Sequence, residues 1–208
     1  MIRWLIIGAL TLTPAVAGSA WAQSAPAVAI DQIGDGSQAA IAQTGDQNSA
    51  TVDQSQGHGD ATIAQDGDGN TASITQSGSG FGLAALAQTG SDNLASLAQD
   101  GGDNSAVLSQ TGSGNQASIA QQAATHGDSA VVSQTGQSNT ASLSQSGDNN
   151  NAIETQVGSA DSESIVQTGA NNQATYTQVG NNLPNLAIVQ SGGMNVTVLQ
   201  TGSPFGGH

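Results

Sequence analysis

No cysteine occurs in the 208 residues, so no disulfide framework can hold this chain together and its stability must come from stacking or assembly. Lys and Arg together number one, Arg3, against fifteen Asp and Glu. A chain so poor in cations has little with which to neutralise phosphates, so no direct nucleic-acid partner is expected and anionic lipid surfaces are disfavoured. The same imbalance keeps free copies soluble and slows their association. Aromatic residues are 2% and charged residues 8% of the chain, too few for an ordinary globular core. Long apolar runs are also missing. The stretch from Trp4 to Val16 is short for a membrane span and is interrupted by Thr11, Thr13 and Pro14.

That stretch reads instead as the apolar part of a signal peptide. Arg3 supplies the positive start and Ala20-Trp21-Ala22 the small-x-small cleavage site. The expected organisation is a signal peptide at 1–22, a short segment at 23–27, and a repeat region with a short tail at 28–208. The mature chain then has no Lys or Arg and no membrane span.

Disorder is the reading that composition alone suggests. Periodicity argues against it. Gln recurs at 32, 43, 54, 65, 76, 88, 99, 110, 121, 134, 145, 156, 167, 178, 190 and 200, and eleven of the fifteen steps are 11 residues. Other positions lock to that frame. Gly stands two residues after Gln in fourteen units, Ala four before in twelve, an aliphatic residue two before in fourteen, and Asn five after in nine. A unit is therefore Ala-x-Ile-x-Gln-x-Gly-x-x-Asn-x. Its first five residues alternate with the period of a β-strand, and the Gly-Asn segment marks a tight turn.

An 11-residue unit is too short for a helical crossover between parallel strands. The economical architecture is all-β: a two-sheet β-solenoid of about sixteen strand-turn units, two per rung and about eight rungs, forming a cross-β fibre. Odd units build one sheet and even units the other. The inward amides of Gln43, Gln54, Gln65, Gln76, Gln88, Gln99, Gln110, Gln134 and Gln145 are expected to bond from rung to rung. Asn48, Asn70, Asn93, Asn104, Asn115 and Asn139 are expected to do the same at the turns. Gly45, Gly67, Gly90, Gly101, Gly112 and Gly136 supply turn backbone at positive φ. The insertions at Phe81, at 122–128 and at Leu183-Pro184 are expected to bulge locally without breaking the stack.

Two acids break the inward pattern. Glu154 takes an aliphatic position between Val132 and Tyr176, and Glu163 takes an Ala position. They are candidate gatekeepers against uncontrolled assembly, unless a local bulge turns Ile153 inward instead. No catalytic, cofactor or metal site emerges. Asp66-Gly67-Asp68-Gly69-Asn70 begins like a calcium loop, but position 77 is Ser where a bidentate Glu is required. His58 and His126 read as turn residues, and His208 ends the chain.

The frame Gln43-x-Gly45-x-x-Asn48-x-Ala50-x-x-x-Gln54 resembles the curlin family, the subunits of curli fibres. It recurs with Gln99, Gly101, Asn104, Ala106 and Gln110, and with Gln134, Gly136, Asn139, Ala141 and Gln145. The resemblance covers about Val28 to Gly202. It implies a bacterial functional amyloid, not an enzyme, secreted to the cell surface and polymerising with itself into biofilm matrix and adhesive fibres. It also implies a nucleator subunit and an outer-membrane secretion apparatus as partners. An ice-binding or adhesin-type solenoid is the alternative. An ice-binding face needs arrays of outward Thr pairs, and among the repeat units the outward pair is Thr-x-Thr only at Thr175 and Thr177.

Overall fold

Alternation of inward and outward residues, broken every few positions by Gly and Asn, drives the chain into short strands joined by tight arcs. The computed structural model describes residues 26–33, 36–55 and 58–202. The expected signal peptide, most of the 23–27 segment, the end of the tail, and His208 lie outside them.

Sixteen strands follow in order: β1 (Ala27–Ile33), β2 (Gln38–Thr44), β3 (Ser49–Ser55), β4 (His58–Asp68), β5 (Thr71–Ser77), β6 (Phe81–Ser91), β7 (Leu94–Gly101), β8 (Ser105–Ser113), β9 (Gln116–Ala123), β10 (Ser129–Gln137), β11 (Thr140–Asp148), β12 (Asn151–Ser159), β13 (Ser162–Ala170), β14 (Gln173–Asn181), β15 (Leu186–Ser191) and β16 (Asn195–Thr201). Odd strands form one eight-stranded sheet and even strands the other, each in chain order. Every pairing is parallel and in register: Gln76 lies over Gln54, and Gln110 over Gln88. The all-β, two-sheet solenoid of eight rungs expected from the 11-residue frame is thus the fold.

The interior is three residues deep on most strands. Ala72, Ile74 and Gln76 of β5 are all buried, as are Ala106, Leu108 and Gln110 of β8. Small Ala beside a branched or leucyl side chain lets two sheets close over a thin core. Each buried aliphatic side chain contributes roughly 1.5–3 kcal/mol. Burial fades only at the ends, where Val28, Ile30, Val196 and Val198 are partly covered. Among the described residues, no strand pairs with the outer edges of β1, β2, β15 or β16.

Most arcs place a residue in the left-handed region. Gln47, Asp92, Ser138, Asn149, Ala160, Asn171 and Asn182 occupy it with φ of 51–60°. Twelve of the glycines two residues after a ladder Gln are also at positive φ, and most face a second constraint. A Cβ on Gly112 (φ 122°) would lie 1.8 Å from the Gly136 carbonyl oxygen of the next rung.

Three local expectations change. His58 is not in a turn: it opens β4 and stacks on Phe81, with ring centroids 5.2 Å apart. Phe81 does not bulge but opens β6, because Gly59 and Gly82 continue the ladder inward of it. A Cβ at either glycine would meet the Gln76 amide within 2.8 Å, so the extra residues extend the strand where a bulkier residue would force a loop. The 153–154 bulge is absent. Glu154 points inward, fully buried, in register between Val132 and Tyr176, and Ile153 is exposed.

Candidate functional site

In the odd sheet the inward amides of Gln32, Gln54, Gln76, Gln99, Gln121, Gln145, Gln167 and Gln190 form one chain. Each Nε2 donates to the Oε1 one rung on, over 2.6–2.9 Å. The even sheet repeats this from Gln43 through Gln65, Gln88, Gln110 and Gln134 to Gln156 at 2.6–2.8 Å, then less tightly through Gln178 to Gln200 at 3.3 and 3.4 Å. The second amide hydrogen reaches the backbone of the opposite sheet, as from Gln110 to the Leu94 carbonyl (3.1 Å). Both ladders point the same way along the solenoid. At the β2 end, Gln43 Oε1 is buried without a donor. At the other end a donor remains: Gln200 Nε2 reaches only the Pro184 carbonyl, whereas Gln190 Nε2 gives both hydrogens to the carbonyls of Gln173 and Met194.

Turn asparagines work differently from the side-chain-to-side-chain ladder expected. The main link is Oδ1 accepting from the backbone N–H of the next turn. Asn48 serves Asn70, Asn70 serves Asn93, Asn93 serves Asn115 and Asn115 serves Asn139, over 3.0–3.1 Å. Nδ2 then donates to the turn-glycine carbonyl of the next rung, as from Asn115 to Gly136 (3.0 Å). Direct amide–amide links also occur, from Asn93 to Asn70 and from Asn115 to Asn93. Five of the six singled-out asparagines share this edge. Asn104 lies on the opposite edge, below Asp128. Among the turn glycines, Gly45 follows β2, and Gly67, Gly90, Gly112 and Gly136 are the last residues but one of even-sheet strands. Gly101 ends β7 of the odd sheet.

Two ladder positions are aspartate. Asp128 accepts from the Asn150 N–H (2.8 Å), and Asp161 from the Leu183 N–H (2.9 Å). Each Oδ2 lies buried without a partner, where asparagine would carry an N–H. Burial pushes the Asp128 carboxyl up to about 6 and raises Asp161 as well. Counting from Gln misses Asp128 because two inserted residues precede it and the count lands on His126. Asp161 is legible, being five residues after Gln156. The insertion is pinned by Asp148. Its Oδ1 accepts from the N–H groups of Ala124, Thr125 and His126 at 2.9–3.1 Å, which hold its carboxyl down at about 2.

Glu154 and Glu163 meet inside the solenoid. All four of their carboxyl oxygens are buried without a donor. Burial raises both, and Glu163 further because it faces Glu154 within hydrogen-bonding reach and lies near Asp161. Two carboxylates cannot both remain charged there, so the pair as a whole holds a proton into the neutral range. Tyr176 sits over Glu154, and its hydroxyl donates to Gln200 Oε1. This hydroxyl is pushed up to about 12 by burial and by the neighbouring acids. Among the described residues, no group of three or more His, Cys, Asp and Glu is arranged to hold a metal ion.

Compared with known families, the chain matches the curlin associated repeat over residues 60–80 and 90–122, which run from β4 to β9. No curated protein and no solved structure matches it. The matched segments, which are curlin associated repeats, carry the same Gln, Gly and Asn columns as the rest of the stack.

Proposed function

We propose that the chain is the structural subunit of an extracellular curli-like amyloid fibre, built by stacking one solenoid on the next. The observation that carries this reading is the pair of open ends. Among the described residues, β1 and β2 present unpaired edges at one end and β15 and β16 at the other, with half-covered valines and isoleucine beneath them. Unpaired parallel edges are templates for another chain. The amide polarity fixes how: Gln200 Nε2 of one copy donates to the orphaned Gln43 Oε1 of the next. A buried acceptor without a donor costs about 1–3 kcal/mol, and stacking removes that cost. Growth is therefore head to tail, β16 on β2 and β15 on β1.

In this reading the Gln and Asn columns are the stacking ladder, the turn glycines admit close rungs, and Glu154 and Glu163 restrain uncontrolled assembly. Cleavage after Ala22 releases the mature chain. The curlin relationship extends the proposal to a secreted biofilm and adhesion fibre, with a nucleator subunit and an outer-membrane secretion apparatus as partners. The test is incubation of residues 23–208 at neutral pH, followed by electron microscopy and fibre diffraction. Fibres with a meridional spacing near ~4.8 Å are expected. Chains that stay monomeric after long incubation overturn the proposal.

A further inference from the structure

The charges are distributed unevenly along the solenoid. Asp31, Asp53, Asp100 and Asp148 project from the odd sheet, and Asp60, Asp66 and Asp68 from β4 of the even sheet. From β6 to β16 the outer face of the even sheet carries no ionisable side chain at all. Its outward positions are Ser, Thr, Ala, Val, Leu, Ile, Asn, Gln and Phe. Val107, Ile153, Val157, Val179 and Leu199 are exposed on it, with Val131 half-buried between Val107 and Ile153. The six strands run in register, so the face is an even lattice of short side chains.

We propose that this face is the lateral interface between two copies of the chain, pairing solenoids side by side. Three arguments select a second copy as the occupant. The first is charge. With fifteen acids and a single arginine, copies repel one another wherever carboxylates meet. This is the one broad sheet face where they can approach without that repulsion. The second is size. Six strands at ~4.8 Å, each about 25 Å long, give a footprint of roughly 700 Å² per copy, about 1,400 Å² in total, inside the range of specific interfaces. The third is shape. Two flat in-register faces of Val, Thr and Ser can interdigitate as a dry zipper, which a partner without the same repeat spacing cannot.

The face exists on each single copy, so the pairing does not depend on the fibre reading. The experiment is mass per length by scanning transmission electron microscopy. Wild-type fibres are expected to hold two chains per ~38 Å rise. Val107→Asp with Val157→Asp, or Thr111→Asp with Thr135→Asp should the first pair fail to fold, should halve that value. Ser118→Asp with Ser142→Asp, on the odd sheet, should leave it unchanged. One chain per rise in the wild type overturns the proposal. So does pairing that survives the even-sheet variants, or pairing lost equally in the odd-sheet control. If no fibres form, the fibre reading fails and this one is decided by sedimentation of the soluble chain: a dimer dissociated by the even-sheet variants supports it, and a monomer overturns it.

Discussion

Replacing Gln110 by Leu keeps the volume of the core and removes the amide. Two ladder neighbours then lose partners: the Gln88 Nε2 hydrogen that pointed at Gln110 (2.8 Å) and the Gln134 Oε1 that accepted from it (2.8 Å). Each orphaned buried group costs about 1–3 kcal/mol. The added apolar burial offsets roughly 2 kcal/mol, leaving a net loss of about 2 kcal/mol. A second substitution, Gln134→Leu, separates ladder from shape. In the double variant the orphans are Gln88 Nε2 and Gln156 Oε1, again two, whereas two unrelated substitutions would leave four. Gln110→Leu with Gln134→Leu is therefore expected to be no less stable than Gln110→Leu alone, a coupling of about 2 kcal/mol or more. Gln99 lies in the other sheet, so Gln99→Leu with Gln110→Leu should be additive. Guanidinium midpoints of sedimentable fibre, at equal slope, supply the four comparisons. If the adjacent pair is as additive as the cross-sheet pair, the amides are not linked as a ladder.

Three more expectations are open to direct tests. Glu154 and Glu163 are raised on folding, so the stability they allow is fully present below the unfolded value near ~4 and is lost as pH rises toward their folded values. Glu154→Gln with Glu163→Gln should raise the denaturant midpoint most above pH ~7 and leave a residual slope between about pH 4 and 6 from Asp128; an unchanged pH profile refutes the cluster. Gly112→Ala should lower the midpoint far more than Gly193→Ala. Both glycines have positive φ, but only Gly112 has a carbonyl in the path of its Cβ, and equal losses would show that backbone conformation alone matters. Assembly should quicken in acid and in about 0.15 M salt, because fifteen carboxylates face one arginine; a thioflavin lag time indifferent to both would contradict the charge argument.

Much of the fold is legible because one column carries several signals at once. Gln, Gly, Ala and the aliphatic position repeat in phase, and a frame that must bury Ile74, Leu97 and Ile119 above one another leaves the strands one register. The arcs are less legible. Their left-handed position is filled by Gln47, Asp92, Ser138 and Ala160 alike, since a single strained residue is tolerated when the rungs above and below hold it. The acids were legible as residues but not as environments. Asp148 and Asp128 are both turn acids in the sequence, yet one is lowered by three backbone N–H groups and the other is raised by burial. The direction of the amide chains, and with it the orphaned Gln43 oxygen, follows from side-chain orientation that no residue pattern encodes.

Helical reconstruction of fibres by electron cryo-microscopy tests the central claim most directly. The account predicts an uninterrupted solenoid with ~4.8 Å rungs, eight rungs per chain, and a junction where β16 lies in parallel register on β2 of the next copy, with Gln200 beside Gln43. A junction joining like ends, or a fibre core in which the strands do not coil as two facing parallel sheets, would contradict it.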